Sequence, residues 1–139
     1  SDGFHANGWS LIRKILKAVG STVWISEVAQ MENVTAVSGS GPAYVFYFLE
    51  AMEAAARNLG FDPRSARQLT VETFLGAARL AEQSSESLST LRERVTSKGG
   101  TTEAALLSFN AHGIAAAIEH GIVAAEARGR ELGDILGKD

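Results

Sequence analysis

Two stretches of the sequence set glycines beside hydroxyl side chains directly ahead of a helical pattern. They are Ser38-Gly39-Ser40-Gly41-Pro42 and Ser97-Lys98-Gly99-Gly100-Thr101-Thr102. A helix start offers backbone N–H groups with no intrahelical partner and the positive end of the helix dipole, so it takes anions readily. The second stretch is the richer. Gly99 and Gly100 allow close backbone approach and unusual φ angles, while Ser97, Thr101 and Thr102 add three hydroxyls. That set suits a carboxylate or a small phosphate group. A tight turn with Thr as N-cap accounts for the same residues, and pattern alone leaves both readings open. At 38–42 the spacing is neither G-x-x-x-x-G-K nor G-x-G-x-x-G after a strand, which favours a close-packed helix start over a phosphate loop.

Other chemistry finds little support. The absence of cysteine excludes disulfides, thiol catalysis and Cys-ligated zinc. His5, His112 and His120 show no H-x-x-x-H or H-E-x-x-H spacing, so no metal site is expected. Glu50 and Glu53 are a carboxylate pair at helical spacing, and a solvated helix face explains them. There is no G-x-S-x-G elbow.

The elements that must carry the two stretches are mostly helical. The chain has 139 residues, enough for one domain of ordinary size or one domain with a piece of another. Hydrophobic residues make up 45% and charged residues 21%, which excludes disorder, and a net charge of −3 argues against a polyanion binder. Alanine occurs 22 times and proline twice, favouring helices that pack closely. The longest uncharged stretch, Asn33 to Leu49, is cut by the first glycine segment, so no membrane span is expected. No signal peptide is visible at Ser1-Asp2-Gly3-Phe4.

Residues 1–8 read as a loose end. A helix is predicted from Trp9 to Val19, stopped by Gly20, followed by a strand at Thr22-Val23-Trp24-Ile25 with no partner strand in the chain. Val34 to Val37 lead into the first glycine segment. A helix then starts at Pro42 and runs to Leu59, apolar all round over Pro42 to Leu49 and therefore expected to be central and buried. Glu53 and Arg57 are spaced to pair. Asp62-Pro63 starts a helix that reaches about Gln83 with two apolar stripes. A Ser-rich break precedes a short helix from Ser87 to Val95, which should turn Leu88, Leu91 and Val95 inward. The second glycine segment leads to a helix over about 102–110. After Gly113, an Ala-rich helix reaches roughly Leu132, its small residues suited to close packing against a second subunit.

The two segments in this order, separated by two long helices, closely resemble pyrroline-5-carboxylate reductase. The resemblance is carried by Val34-Thr35-Ala36-Val37-Ser38-Gly39-Ser40-Gly41-Pro42-Ala43-Tyr44-Val45-Phe46 and by Val95-Thr96-Ser97-Lys98-Gly99-Gly100-Thr101-Thr102. It extends through Gly76-Ala77-Ala78 to the closing helix, covering about residues 9–133. Lys98 stands where the family more often has Pro.

The resemblance implies an all-α dimerisation domain of the 6-phosphogluconate-dehydrogenase C-terminal-like type. A remnant helix and strand of a Rossmann domain would precede it. Residues 9–30 would be that remnant and residues 31–139 the helical, substrate-binding domain. It further implies reduction of 1-pyrroline-5-carboxylate to L-proline with NADPH or NADH, which an N-terminal domain outside these residues would mainly bind. Ser97, Gly99, Gly100, Thr101 and Thr102 would bind substrate. Within that set, Ser97 and the N–H groups of Gly100 and Thr101 would hold the carboxylate, and Thr102, the catalytic candidate, would face the ring nitrogen. Ser38, Gly39, Gly41 and Pro42 would lie near the nicotinamide. The expected partner is a second copy, with dimers able to build larger rings, in a cytoplasmic enzyme that binds neither nucleic acid nor membrane. The helical part alone should be inactive. The rival readings are the helical half of another Rossmann-type imine or hydroxy-acid reductase, and a non-catalytic dimerisation module.

Overall fold

The computed structural model describes residues 28–137, which are helical with no strand among them. The helix expected over 9–19, the strand over 22–25 and His5 lie outside the described residues. Six α-helices follow one another: α1 Val28–Val34, α2 Gly41–Asn58, α3 Pro63–Gln83, α4 Leu88–Arg94, α5 Thr101–Ala111 and α6 Ile114–Gly137. They divide into two compact units, residues 28–44 with 116–137, and residues 45–115.

In the first unit, the stretch expected to lead into a glycine loop is helical instead. Thr35–Gly39 continues α1 as one wide π-turn, and Ser40, also in a right-handed helical conformation, is the single residue before α2. The Ser40 N–H donates to the Thr35 carbonyl at 2.8 Å, five residues back, as a π-turn requires. The break at Ser40 would leave the Ala36 carbonyl without a partner. The Tyr44 hydroxyl, from the first turn of α2, donates to it at 2.8 Å, and Ala36 itself is buried. Side-chain capping across a helix break thus holds the two axes at this joint. Helix α6 passes close to α1: a Cβ on Gly133 would stand 2.9 Å from a Glu32 carboxylate oxygen. Helix α6 also runs beyond the expected end at Leu132, to Gly137. Ion pairs Arg130–Glu126 at 2.7 Å and Arg128–Glu131 at 2.9 Å lie along its last turns.

In the second unit the boundaries follow local chemistry closely. Helix α2 ends in a Schellman motif, with Gly60 at φ 108, the Phe61 N–H on the Ala56 carbonyl and the Gly60 N–H on the Arg57 carbonyl. Asp62 then caps α3, and Pro63 occupies its first position. The Phe48 and Phe74 rings meet at 5.4 Å with planes tilted by 58°, joining α2 to α3. Glu86 and Arg94 pair at 2.6 Å across α4. The expected Glu53–Arg57 pair does not form.

Burial departs from expectation. Among the described residues only Ala36, Ala66 and Thr70 are buried. The apolar start of α2, expected to be central, leaves Phe46 67% and Tyr47 77% exposed, and Leu88 and Val95 of the short helix are 72% and 67% exposed rather than inward. The cause is geometric: helices apolar on several faces need neighbours on each face, and the described segments do not supply them. No helix among the described residues is long and apolar enough to cross a membrane.

Candidate functional site

The segment between α4 and α5 is built from the end of one helix, one turn and the start of another. Thr96 closes α4, its N–H on the Glu93 carbonyl and its hydroxyl on the Arg92 carbonyl at 2.6 Å. Ser97-Lys98-Gly99-Gly100 then forms a tight turn in which the Gly100 N–H donates to the Ser97 carbonyl at 3.1 Å. Gly99 sits at φ 75, the left-handed region that the third residue of a type II turn requires and that glycine enters without strain. The second residue of such a turn accepts proline, because its φ is near −60°. The Lys98 position is therefore one where Pro and Lys serve the same backbone.

Gly100 is the N-cap of α5, with extended backbone at φ −94, ψ −175 and no side chain to cap the helix. The N–H groups of Thr101, Thr102 and Glu103 form the first helical turn and find no protein partner among the described residues. Of the two amides expected on a carboxylate, Gly100's is thus held by the Ser97 carbonyl and Thr101's is unclaimed. The Gly99 N–H is held as well, donating to the Glu103 carboxylate at 3.2 Å. Ser97, Gly99 and Thr101 are exposed, while Gly100, Thr102 and Glu103 are half-buried.

The chemistry available is therefore anion binding with hydroxyl assistance: three neighbouring free N–H donors, the positive end of an 11-residue helix, and the hydroxyls of Ser97, Thr101 and Thr102. Among the described residues no three His, Cys, Asp or Glu side chains gather as metal ligands would. His112, at the end of α5, has its Nδ1 2.8 Å from the Ser108 carbonyl of its own helix.

Ser38, Gly39, Gly41 and Pro42 lie on the π-turn and the start of α2, in the other compact unit. They are not a loop. The π-turn engages the Ser40 N–H, while Gly41 has open space where a Cβ would stand. Sequence reasoning passed over Glu103 and Tyr44. A signal for the first existed: Glu three residues after a helix N-cap is half of a capping box.

Both segments lie within the span that matches a known family. Residues 28–132 match the family model described as pyrroline-5-carboxylate reductase dimerisation. The pyrroline-5-carboxylate reductase of Pseudomonas aeruginosa is 47% identical over 125 residues, covering 90% of this chain and 46% of that protein. Among solved structures, a pyrroline-5-carboxylate reductase from Coxiella burnetii superposes with a TM-score of 0.79 at 40% identity, over 91% of this chain and 47% of that one. The Plasmodium falciparum pyrroline carboxylate reductase, solved with NADP bound, gives 0.77 at 25% identity, over 81% and 43%. The chain spans about half the length of the relatives it matches. With the family model matched from α1 to near the end of α6, the chain belongs to the pyrroline-5-carboxylate reductase dimerisation family.

Proposed function

We propose that this chain is the C-terminal, substrate-binding and dimerisation part of an enzyme that reduces 1-pyrroline-5-carboxylate to L-proline with NADPH or NADH. The observation that carries the reading is the open start of α5, where the N–H groups of Thr101, Thr102 and Glu103 have no protein partner among the described residues, on a segment that also carries the hydroxyls of Ser97, Thr101 and Thr102. Residues 9–27, ahead of the family match, would then belong to the nucleotide-binding half.

In this reading the substrate carboxylate rests on the Thr101 N–H and its neighbours along the first turn, with the Ser97 hydroxyl donating to it. The fixed carboxylate orients the ring, and such positioning supplies much of the rate in a two-reactant step. The Thr102 hydroxyl faces the ring nitrogen and hydrogen-bonds to it as it passes from imine to amine. The nicotinamide, when bound, supplies the hydride that adds to the imine carbon, the ring nitrogen taking its proton from water. On this chain the open backbone at Gly41, with Ser38, Gly39 and Pro42 around it, suits contact with a flat ring. No strong acid or base is required of the protein, because the imine nitrogen is basic enough to be protonated readily.

The bare aromatic face of α2 fits the same reading. Phe46 and Tyr47 are exposed to an extent unusual for large apolar side chains in one cluster. A second copy of the chain is the occupant that a dimerisation family supplies. Sedimentation at micromolar concentration is expected to give a dimer, and a species of one-chain mass counts against it.

The deciding experiment joins this chain to its nucleotide-binding half and follows loss of NADPH absorbance after 1-pyrroline-5-carboxylate is added. Turnover is expected. A folded dimer that binds NADPH without turnover would instead favour a reductase for another imine or a hydroxy acid, since the α5 start would then serve a different anion.

A further inference from the structure

The start of α5 has no side-chain cap, and one side chain ties it to the preceding turn. Glu103, in the first turn of α5, reaches back so that its carboxylate accepts the Gly99 N–H at 3.2 Å. Gly99 is the residue at φ 75 on which the turn depends. That turn carries the Ser97 hydroxyl, and within it the Gly100 N–H donates to the Ser97 carbonyl. Without a side-chain cap at Gly100, the Gly99–Glu103 bond is the one side-chain tie between turn and helix among the described residues. It also takes up the Gly99 N–H, leaving the amides of the helix's first turn as the free donors.

The geometry points to Glu103 as a positioning residue. It sets the Ser97-to-Gly100 turn against the first turn of α5, so that the Ser97 hydroxyl and the Thr101 and Thr102 amides face one carboxylate. This rests on the proposed carboxylate-binding role of the segment. Glu103 does not touch the substrate in this scheme. Its own negative charge opposes a bound anion, which makes the hydrogen-bond acceptor, and not the charge, the useful part of the side chain.

The test uses the enzyme with its nucleotide-binding half attached. Glu103→Ala is expected to raise the KM for 1-pyrroline-5-carboxylate roughly tenfold, the effect of losing one hydrogen bond to a charged group. The KM for NADPH should be unchanged, and Glu103→Gln, which keeps an acceptor at the same reach, should recover most of the loss. An unchanged KM for pyrroline-5-carboxylate in Glu103→Ala overturns the role. So does an equal rise in both KM values, or a Gln variant as impaired as the Ala variant. Amide hydrogen exchange on the wild-type enzyme needs no variant. The Gly99 N–H is expected to be protected, and exchange at the free-peptide rate overturns the inference. Normal wild-type turnover beside an unaffected Glu103→Ala variant leaves the carboxylate-binding role standing. A wild type inactive on pyrroline-5-carboxylate removes that role and the positioning role with it.

Discussion

At the start of α3 the Asp62 carboxylate accepts the Ser65 N–H at 3.0 Å and the Ser65 hydroxyl at 2.9 Å. At the start of α4 the Ser87 hydroxyl accepts the Thr90 N–H at 3.1 Å. At the start of α5 the same position holds Gly100, and no side chain answers the helix. All three starts follow short connections, so connection length does not explain the contrast. A capped start satisfies its own donors and gains stability from them. An uncapped one keeps those donors for something outside the chain, and forgoes that gain. Under the proposed function, the difference separates a structural helix start from a binding one more sharply than glycine content does, since the other glycine segment, at 38–42, folds into a helix joint.

The largest effect is expected from giving α5 the cap it lacks. Gly100 has extended backbone that any residue adopts, and a Cβ there would stand 3.2 Å from the Ser97 carbonyl oxygen. Gly100→Asp should therefore fold with a small adjustment of the turn. Its carboxylate would claim the free N–H groups as Asp62 claims the Ser65 N–H. The KM for 1-pyrroline-5-carboxylate should rise on the order of a hundredfold, with the melting temperature unchanged or higher. Steady-state kinetics beside a thermal melt checks this. A capped α5 that keeps its KM would show that the substrate anion binds elsewhere.

Thr102→Ala comes next. It leaves every amide of the open start in place and removes the hydroxyl assigned to the ring nitrogen, so kcat should fall roughly tenfold or more with little change in folding. Unchanged kinetics would remove that role. Gly99→Ala is smaller again. Open space surrounds the new Cβ, so the cost is conformational, about 1 kcal/mol for a non-glycine residue at φ 75. Strain at the turn should appear as a KM raised several-fold and a lowered melting temperature.

The two kinds of helix start were unequally legible in the sequence. Asp62-Pro63 and the Ser84-to-Ser87 break mark α3 so locally that its predicted span, Pro63 to Gln83, is the observed one. The position of the α5 start was legible too, because Gly99-Gly100 ahead of two Thr leaves few backbone options. Which amides stay free was not: that depends on a type II turn, which claims the Gly100 N–H, and on Glu103, which claims that of Gly99. The π-turn at Thr35–Gly39 was hidden for a related reason. Its β-branched and glycine residues disfavour helix locally, and the Tyr44 hydroxyl that holds the joint comes from the next helix. The exposure of Phe46 and Tyr47 was unreadable in principle, since an apolar pattern says that a face must be covered and not which chain covers it.

The smallest effect is expected at the capped end of the comparison, and it is one that activity should not register. Asp62→Ala removes the cap of α3 and leaves the α5 start untouched, so the KM for 1-pyrroline-5-carboxylate should stay at the wild-type value while the melting temperature falls modestly. The acid response separates the cap from mere packing. Hydrogen bonds from the Ser65 N–H, then from the Ser65 hydroxyl, hold the Asp62 carboxyl below its ordinary value of 3.8. A group whose folded value is depressed stabilises the fold above its unfolded value, and that contribution fades as pH falls through the folded one. The wild type should therefore lose its advantage over Asp62→Ala as pH falls through and below the ordinary carboxyl value of 3.8, with the two melting curves converging at the acid end. Curves that stay parallel through that window would mean the Asp62 carboxylate contributes nothing by its charge. The contrast with α5 would then rest on the backbone alone.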